Sequence, residues 1–170
     1  MENNQLEFEK GGVTYSIESA YAVLMTVKVQ DGKPYILLPQ RQDGAWEVGF
    51  GGGPEPDDET ADDTALREMC EELGQAISTE GWQSNAIRLF VGAKDRKNRR
   101  DGWFWIRVFW VPYEEMAAII ANFTPNGEVQ AIQLAGQPTL ADDRTGIVPM
   151  QFNQFLPFIT AQMVMMAARS

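Results

Sequence analysis

At 170 residues, 44% hydrophobic and 22% charged, the chain has the length and composition of one soluble domain with a full core and little room for two. It contains no histidine and one cysteine, which excludes Ser-His-Asp and Cys-His catalysis, histidine-ligated zinc and an internal disulfide. A net charge of −10 and a pI near 4.4 argue against nucleic acid as a partner, and no apolar run reaches the roughly 18 residues that span a bilayer.

The first residues, MENNQLEFEK, lack the basic start and apolar stretch of a secretory signal, so a cytoplasmic protein is expected. Ser19 to Val29 and Pro34 to Pro39 read as two strands about the turn Gln30-Asp31-Gly32-Lys33. Trp46 to Phe50 is a short apolar run that feeds Gly51-Gly52-Gly53, and residues 54–58 form a loop of turn formers. Glu59 to Leu73 reads as a helix, with Asp58 or Thr60 to cap its start and Gly74 to end it. Ala86 to Lys94 and Trp103 to Val111 flank a polar loop and predict a hairpin. Its second strand is apolar on both faces, as a central strand would be. Tyr113 to Asn122 reads as a short helix, Glu128 to Leu134 as a strand and Met150 to Ala168 as a last helix. Strands interleaved with helices imply an α/β fold with a mixed sheet, in a single domain over residues 1–170. The methionine-rich last helix suits core or interface, so a homodimer stays open.

The charge is not evenly spread. Between Glu55 and Glu72 nine acids stand against Arg67 alone, so this window carries −8 of the −10. On a helical wheel Glu72 falls about 40° to one side of Glu68 and Glu71 about 60° to the other. Ala61, Thr64 and Ala65 lie beside these carboxylates, while Leu66, Met69 and Leu73 form a separate apolar arc. Arg67, four residues before Glu71, is placed to pair with it. A hard cation such as Mg²⁺ takes oxygen ligands; held here it would clamp phosphate oxygens and activate water without histidine. Gly52 and Gly53 allow close backbone approach and offer N–H groups to an anion. From the helix alone, a solvated acidic face is the commoner case.

From Gly53 to Gln75 the sequence resembles the Nudix box, G-x5-E-x7-R-E-U-x-E-E-x-G-U, where U is a bulky aliphatic. Gly53, Glu59, Arg67, Glu68, Met69, Glu71, Glu72 and Gly74 fall on its positions. The resemblance implies a Nudix-type α/β/α sandwich. It also implies Mg- (or Mn-) dependent hydrolysis of the pyrophosphate bond of a nucleoside diphosphate linked to another moiety, so a small nucleotide is the expected partner. Glu68, Glu71 and Glu72 would ligate the metal, Arg67 would orient them, and Glu59 would brace the helix start or act as an outer ligand. Gln75, Gly51, Glu55 and Asp58 depart from common family residues, and none of these changes removes an implied ligand.

Family members often take a further carboxylate from a distant loop. Glu128 is the first candidate; Glu114 and Glu115 follow, although acids of a first helical turn are the better reading of those two. Arg96, Arg99 and Arg100 are candidates to grip a distal phosphate, with a solvated hairpin tip at least as good an account. That basic loop and the aromatic strand after it distantly resemble ADP-ribose hydrolases of the family. Trp46, Phe50, Trp103 and Trp105 are candidates for stacking a base, with core packing preferred for most. Cys70 lies away from the carboxylates and is expected to be a bystander. The alternatives are a non-catalytic nucleotide-sensing module and a house-cleaning nucleoside triphosphate pyrophosphatase.

Overall fold

Alternation at period two sends Ala20, Ala22 and Leu24 to one face of a strand and Tyr21, Val23 and Met25 to the other, and both sets are buried. In the computed structural model, which describes residues 5–91, 102–136, 161–162 and 164–165, this strand is β2 (Val13–Val27), the centre of a seven-stranded mixed sheet. One edge of β2 pairs in parallel with β6 (Gly102–Trp110) from Ser16 to Met25. Three antiparallel strands share the other edge in turn: β1 (Glu7–Lys10), β4 (Phe50–Gly52) and β3 (Pro34–Arg41). Beyond β6 lies β5 (Gln83–Val91), and beyond β3 lies β7 (Val129–Gly136). The hairpin and the central position expected for the WFWIRVFWV strand are both present.

Two helices cover one face. Ala61, Ala65, Met69 and Leu73 of α1 (Ala61–Leu73) and Met116 and Ile119 of α2 (Tyr113–Asn122) join Leu24, Phe50, Trp103 and Trp105 in one buried cluster. Each fully buried Leu or Met there contributes roughly 1.5–3 kcal/mol. The opposite face buries Val23, Met25, Ile36, Leu38, Ile106 and Val108. Asn85, in phase with Ile87 and Leu89 of that face, donates to Gln162 at 3.1 Å. The helical residues Ala161 and Gln162 therefore lie on the face opposite α1 and α2. Among the described residues no helix is long and apolar enough to cross a membrane.

Several boundaries differ from expectation. The sheet gains β1 and the first turn-side half of β2, joined through Gly11 and Gly12 at φ 60° and 79°, a left-handed pair that suits a two-residue hairpin. The apolar run from Trp46 to Phe50 turns into strand only at its end, as Phe50–Gly52, and Trp46 keeps only a lone bridge to Gln40. Glycine is needed there: a Cβ on Gly51 would stand 2.3 Å from the Ala20 carbonyl oxygen, so only bare backbone can pair with β2 at this point. Helix α1 starts at Ala61 rather than Glu59, because Thr60 and Asp63 cap it reciprocally, Thr60 Oγ1 accepting from the Asp63 N–H and Asp63 from the Thr60 N–H. Most of the expected last helix, and the basic loop with Arg96, Arg99 and Arg100, lie outside the described residues.

Candidate active site

With α1 anchored through Ala65, Met69 and Leu73, its acidic row runs along the border of the buried face. Glu68 is partly buried, Glu71 is exposed, and Glu72 is turned inward and only 7% exposed. Glu128, at the entrance to β7, is carried to the same place because β7 pairs with β3. One carboxylate oxygen from each of Glu68, Glu71 and Glu128 lies within 4.8 Å of the others.

Arg67 organises one flank. Its Nε and Nη2 grip Asp58 at 3.2 and 2.9 Å, while Nη1 reaches Glu68 at 3.1 Å, Glu71 at 3.3 Å and Glu55 at 3.3 Å. Nη2 also donates to the Gly53 carbonyl at 3.2 Å, which ties the glycine loop to the helix. The guanidinium pulls the Asp58 carboxyl down to about 2, helped by the Glu55 backbone and the Thr64 hydroxyl. The same contacts hold the Arg67 pKa above its usual value.

Among the described residues the opposite flank lacks such a cation. Glu72 Oε2 is buried with no hydrogen-bond partner among the described residues. Burial, followed by the charges of Glu47, Glu68 and Glu128, pushes the Glu72 carboxyl up to about 9 against one backbone hydrogen bond from Gly51. Glu68 and Glu47 are also raised by burial, opposed by Arg67 and Arg41 respectively. Arg41 divides itself between Asp43 at 3.2 Å and Glu47 at 3.5 Å. A set of carboxylates that is short of positive charge and holds an orphaned buried oxygen fits a hard divalent cation.

A NUDIX domain model matches residues 18–134, well over half of the sequence. The chain belongs to the NUDIX family. No curated protein matches it. Among solved structures it is similar to a C. elegans Ap4A hydrolase in a binary complex, at 15% identity and TM-score 0.55, covering 85% of this chain and 98% of that one. It is also similar to the NUDIX domain of Shewanella oneidensis NrtR in complex with ADP ribose, at 16% identity and TM-score 0.53, covering 91% and 93%. For the longer NrtR chain bound to a 27mer DNA the values are 18% and 0.53, with 74% of this chain covered. This chain spans about half the length of that protein, 53% of it being matched. At these identities the likeness shows the fold.

Around the NUDIX helix the remaining residues singled out by sequence sort clearly. Gly52 lies against Glu68, whose Oε1 would be 2.7 Å from an added Cβ. Gly53 is exposed and meets Arg67 through its carbonyl. Glu59 is exposed, with its backbone N–H bonded to Asp63, and it is not among the three converging carboxylates. Trp46 is partly buried against the second-face cluster. Phe50, Trp103 and Trp105 are core, and the two indoles donate to the Tyr15 carbonyl and Asp62. Glu115 accepts from Trp82 at 3.2 Å, away from the cluster. Gln75 donates to the Ile119 carbonyl at 2.8 Å, closing an open end of α2 where an aliphatic was expected. Cys70 is half-buried at the core edge.

Two residues near the site hold positions that the sequence alone does not disclose. Asp58 is a candidate helix cap by sequence; Thr60 takes that place, and Asp58 is the main partner of Arg67. The available signal was an acid six residues before Thr64 and nine before Arg67, in a window otherwise short of bases. Glu47 carried no signal at all, since its approach to Glu72 depends on where β4 joins the sheet.

Proposed function

We propose that residues 1–170 form a single NUDIX domain that acts as a Mg²⁺- or Mn²⁺-dependent pyrophosphohydrolase. Its substrate would be a nucleoside diphosphate linked to another moiety, with ADP-ribose or a nucleotide sugar favoured. The observation that carries this reading is the convergence of Glu68, Glu71 and Glu128 within 4.8 Å, next to a buried Glu72 whose Oε2 has no partner among the described residues. Glu68, Glu71 and Glu72 would hold the cation, with Glu59 as an outer ligand. When bound, the cation neutralises diphosphate charge and lowers the pKa of a water.

The chain's own groups supply the rest. Glu128 takes the proton of the attacking water. The water oxygen bonds to one phosphorus, the bond from that phosphorus to the bridging oxygen breaks, and that oxygen leaves with the other phosphate. Arg67 ion-pairs with Glu68 and Glu71 and keeps the two carboxylates aligned. The backbone N–H groups of Gly52 and Gly53 face anionic oxygens, and Arg96, Arg99 and Arg100 grip the distal phosphate. Trp46 offers a partly buried ring to the base. The preference for ADP-ribose draws support from the NrtR NUDIX domain, which was solved with that ligand.

A second reading, nucleotide sensing without turnover, is supported by the likeness to NrtR, which was solved on DNA. A panel of nucleoside diphosphate derivatives, dinucleotides and nucleoside triphosphates with Mg²⁺ or Mn²⁺ separates the two. Metal-dependent cleavage that is lost in Glu71→Gln, with the melting temperature retained, is the expected result. Saturable binding without cleavage across the panel would establish sensing instead.

A further inference from the structure

Glu128 reaches the helix α1 against electrostatics. It is exposed, and among the described residues its carboxylate has no hydrogen-bond or ion-pair partner, yet it lies within 4.8 Å of two other carboxylates. Like charges at this separation repel, so the restraint has to come from the backbone. One side chain supplies it. Asn126 Nδ2 donates to the Glu72 backbone carbonyl at 2.8 Å, with a longer contact to the Thr124 carbonyl at 3.5 Å. The same amide's Oδ1 accepts from the backbone N–H groups of Glu128 at 2.9 Å and Val129 at 3.0 Å. The main chain of residue 126 is fixed as well: its N–H donates to the Val129 carbonyl at 2.9 Å, and its carbonyl accepts from Gln42 Nε2.

The Glu72 carbonyl belongs to the last turn of α1, where the carbonyls have no intrahelical donor. Asn126 therefore closes that helix end and holds the Glu128 N–H with one amide group. The job needs a donor and an acceptor on a short stem: aspartate has no N–H to give, and serine lacks the reach. We propose that Asn126 is a positioning residue that bridges the Glu72 carbonyl to the Glu128 amide and thereby fixes Glu128 against the metal-binding face of α1. This rests on the role proposed above for Glu128.

The test is a double-mutant cycle on the full chain, read by Mn²⁺ calorimetry without nucleotide and by kcat and KM on the substrate that the panel identifies. Asn126→Ser removes the donor to Glu72 but leaves a hydroxyl for the local turn; Glu128→Gln removes the carboxylate. Asn126→Ser should reduce whichever of Mn²⁺ affinity or kcat Glu128→Gln reduces, by about 10- to 100-fold, with a much smaller change in KM. The double variant should be no worse than Glu128→Gln alone. If Asn126→Ser fails to fold, Asn126→Asp carries the same comparison: it keeps the acceptor and loses the donor, and the negative charge it adds would by itself favour Mn²⁺, so a fall in affinity still reports the lost bridge.

Wild-type values in a folded Asn126 variant, or losses that multiply in the double variant, would overturn the proposal. Full affinity and activity in Glu128→Gln would overturn it too, by removing the residue through which Asn126 acts while leaving the hydrolase reading intact. A wild-type chain that binds no Mn²⁺ and cleaves nothing would instead remove the hydrolase reading, and the proposal with it.

Discussion

The two flanks of the carboxylate cluster are built on opposite principles. On one, Arg67 is surrounded by Asp58, Glu55, Glu68, Glu71 and the Gly53 carbonyl, so its charge and hydrogen bonds are satisfied within the chain. On the other, Glu72 is buried, crowded by Glu47, Glu68 and Glu128, and has an oxygen without a partner. The first flank is complete as folded, whereas the second, among the described residues, is short of positive charge. Substitutions on the Arg67 flank should therefore cost stability, and those on the Glu72 flank should cost metal binding and turnover.

The largest separation of the two properties is expected in Glu72→Gln. At pH 7, below its pKa of about 9, the metal-free carboxyl is protonated, and glutamine matches that neutral form in size. Turnover should fall about 100-fold or more and Mg²⁺ should no longer raise the melting temperature. The melting temperature without metal should stay equal or rise. Differential scanning calorimetry with and without Mg²⁺ checks both points.

Arg67→Ala is the mirror experiment. It leaves Asp58, Glu68 and Glu71 facing one another, and urea unfolding should show a loss of about 3 kcal/mol. Lysine, which lacks the guanidinium fork, should restore only part of it. A variant as stable as wild type would show that this flank is not self-contained.

The glycines sharpen the contrast at a smaller scale. In Gly52→Ala the new Cβ would meet Glu68 Oε1 at 2.7 Å, the far end of a flexible side chain, so the carboxylate swings away. Mn²⁺ affinity should drop while stability changes by less than about 1 kcal/mol. In Gly51→Ala the obstacle is the Ala20 carbonyl at 2.3 Å, which cannot yield, and a loss of about 2 kcal/mol is expected. Equilibrium unfolding and Mn²⁺ titration of the pair read the difference.

The smallest effect concerns acid. Arg67 first, then the Glu55 backbone and Thr64, lower the Asp58 carboxyl to about 2. A lowered acid adds stability above its unfolded pKa, near 3.8, and loses it as pH falls through the folded value. Wild type should exceed Asp58→Asn by about 1–2 kcal/mol at pH 7, and the gap should close between pH 4 and pH 2 in urea midpoints.

What the sequence discloses follows the same division. Features set by the residue pattern within one element are legible: the acidic row, the approach of Arg67 to Glu71 and the Gly74 stop on α1, and the apolar residues on both faces of β6. Features set by strand pairing are not. The alternation from Val13 to Glu18 is polar enough to look like loop, and it becomes strand because β1 folds back on it across Gly11 and Gly12. Glu47 meets Glu72 only because β4 pairs through Gly51 rather than Trp46. Glu128 was singled out for opening a strand, but the amide that anchors it, Asn126, gave no signal, since its partner is a main-chain carbonyl far away in sequence.

The most direct test is a Mn²⁺ titration followed by the electron paramagnetic resonance signal of the free ion, comparing wild type with a Glu68→Gln/Glu71→Gln double variant. Wild type should deplete the free-ion signal at a saturable site, and the folded double variant should leave it unchanged. Equal depletion by both proteins, or none by wild type, would contradict a cation site at these glutamates.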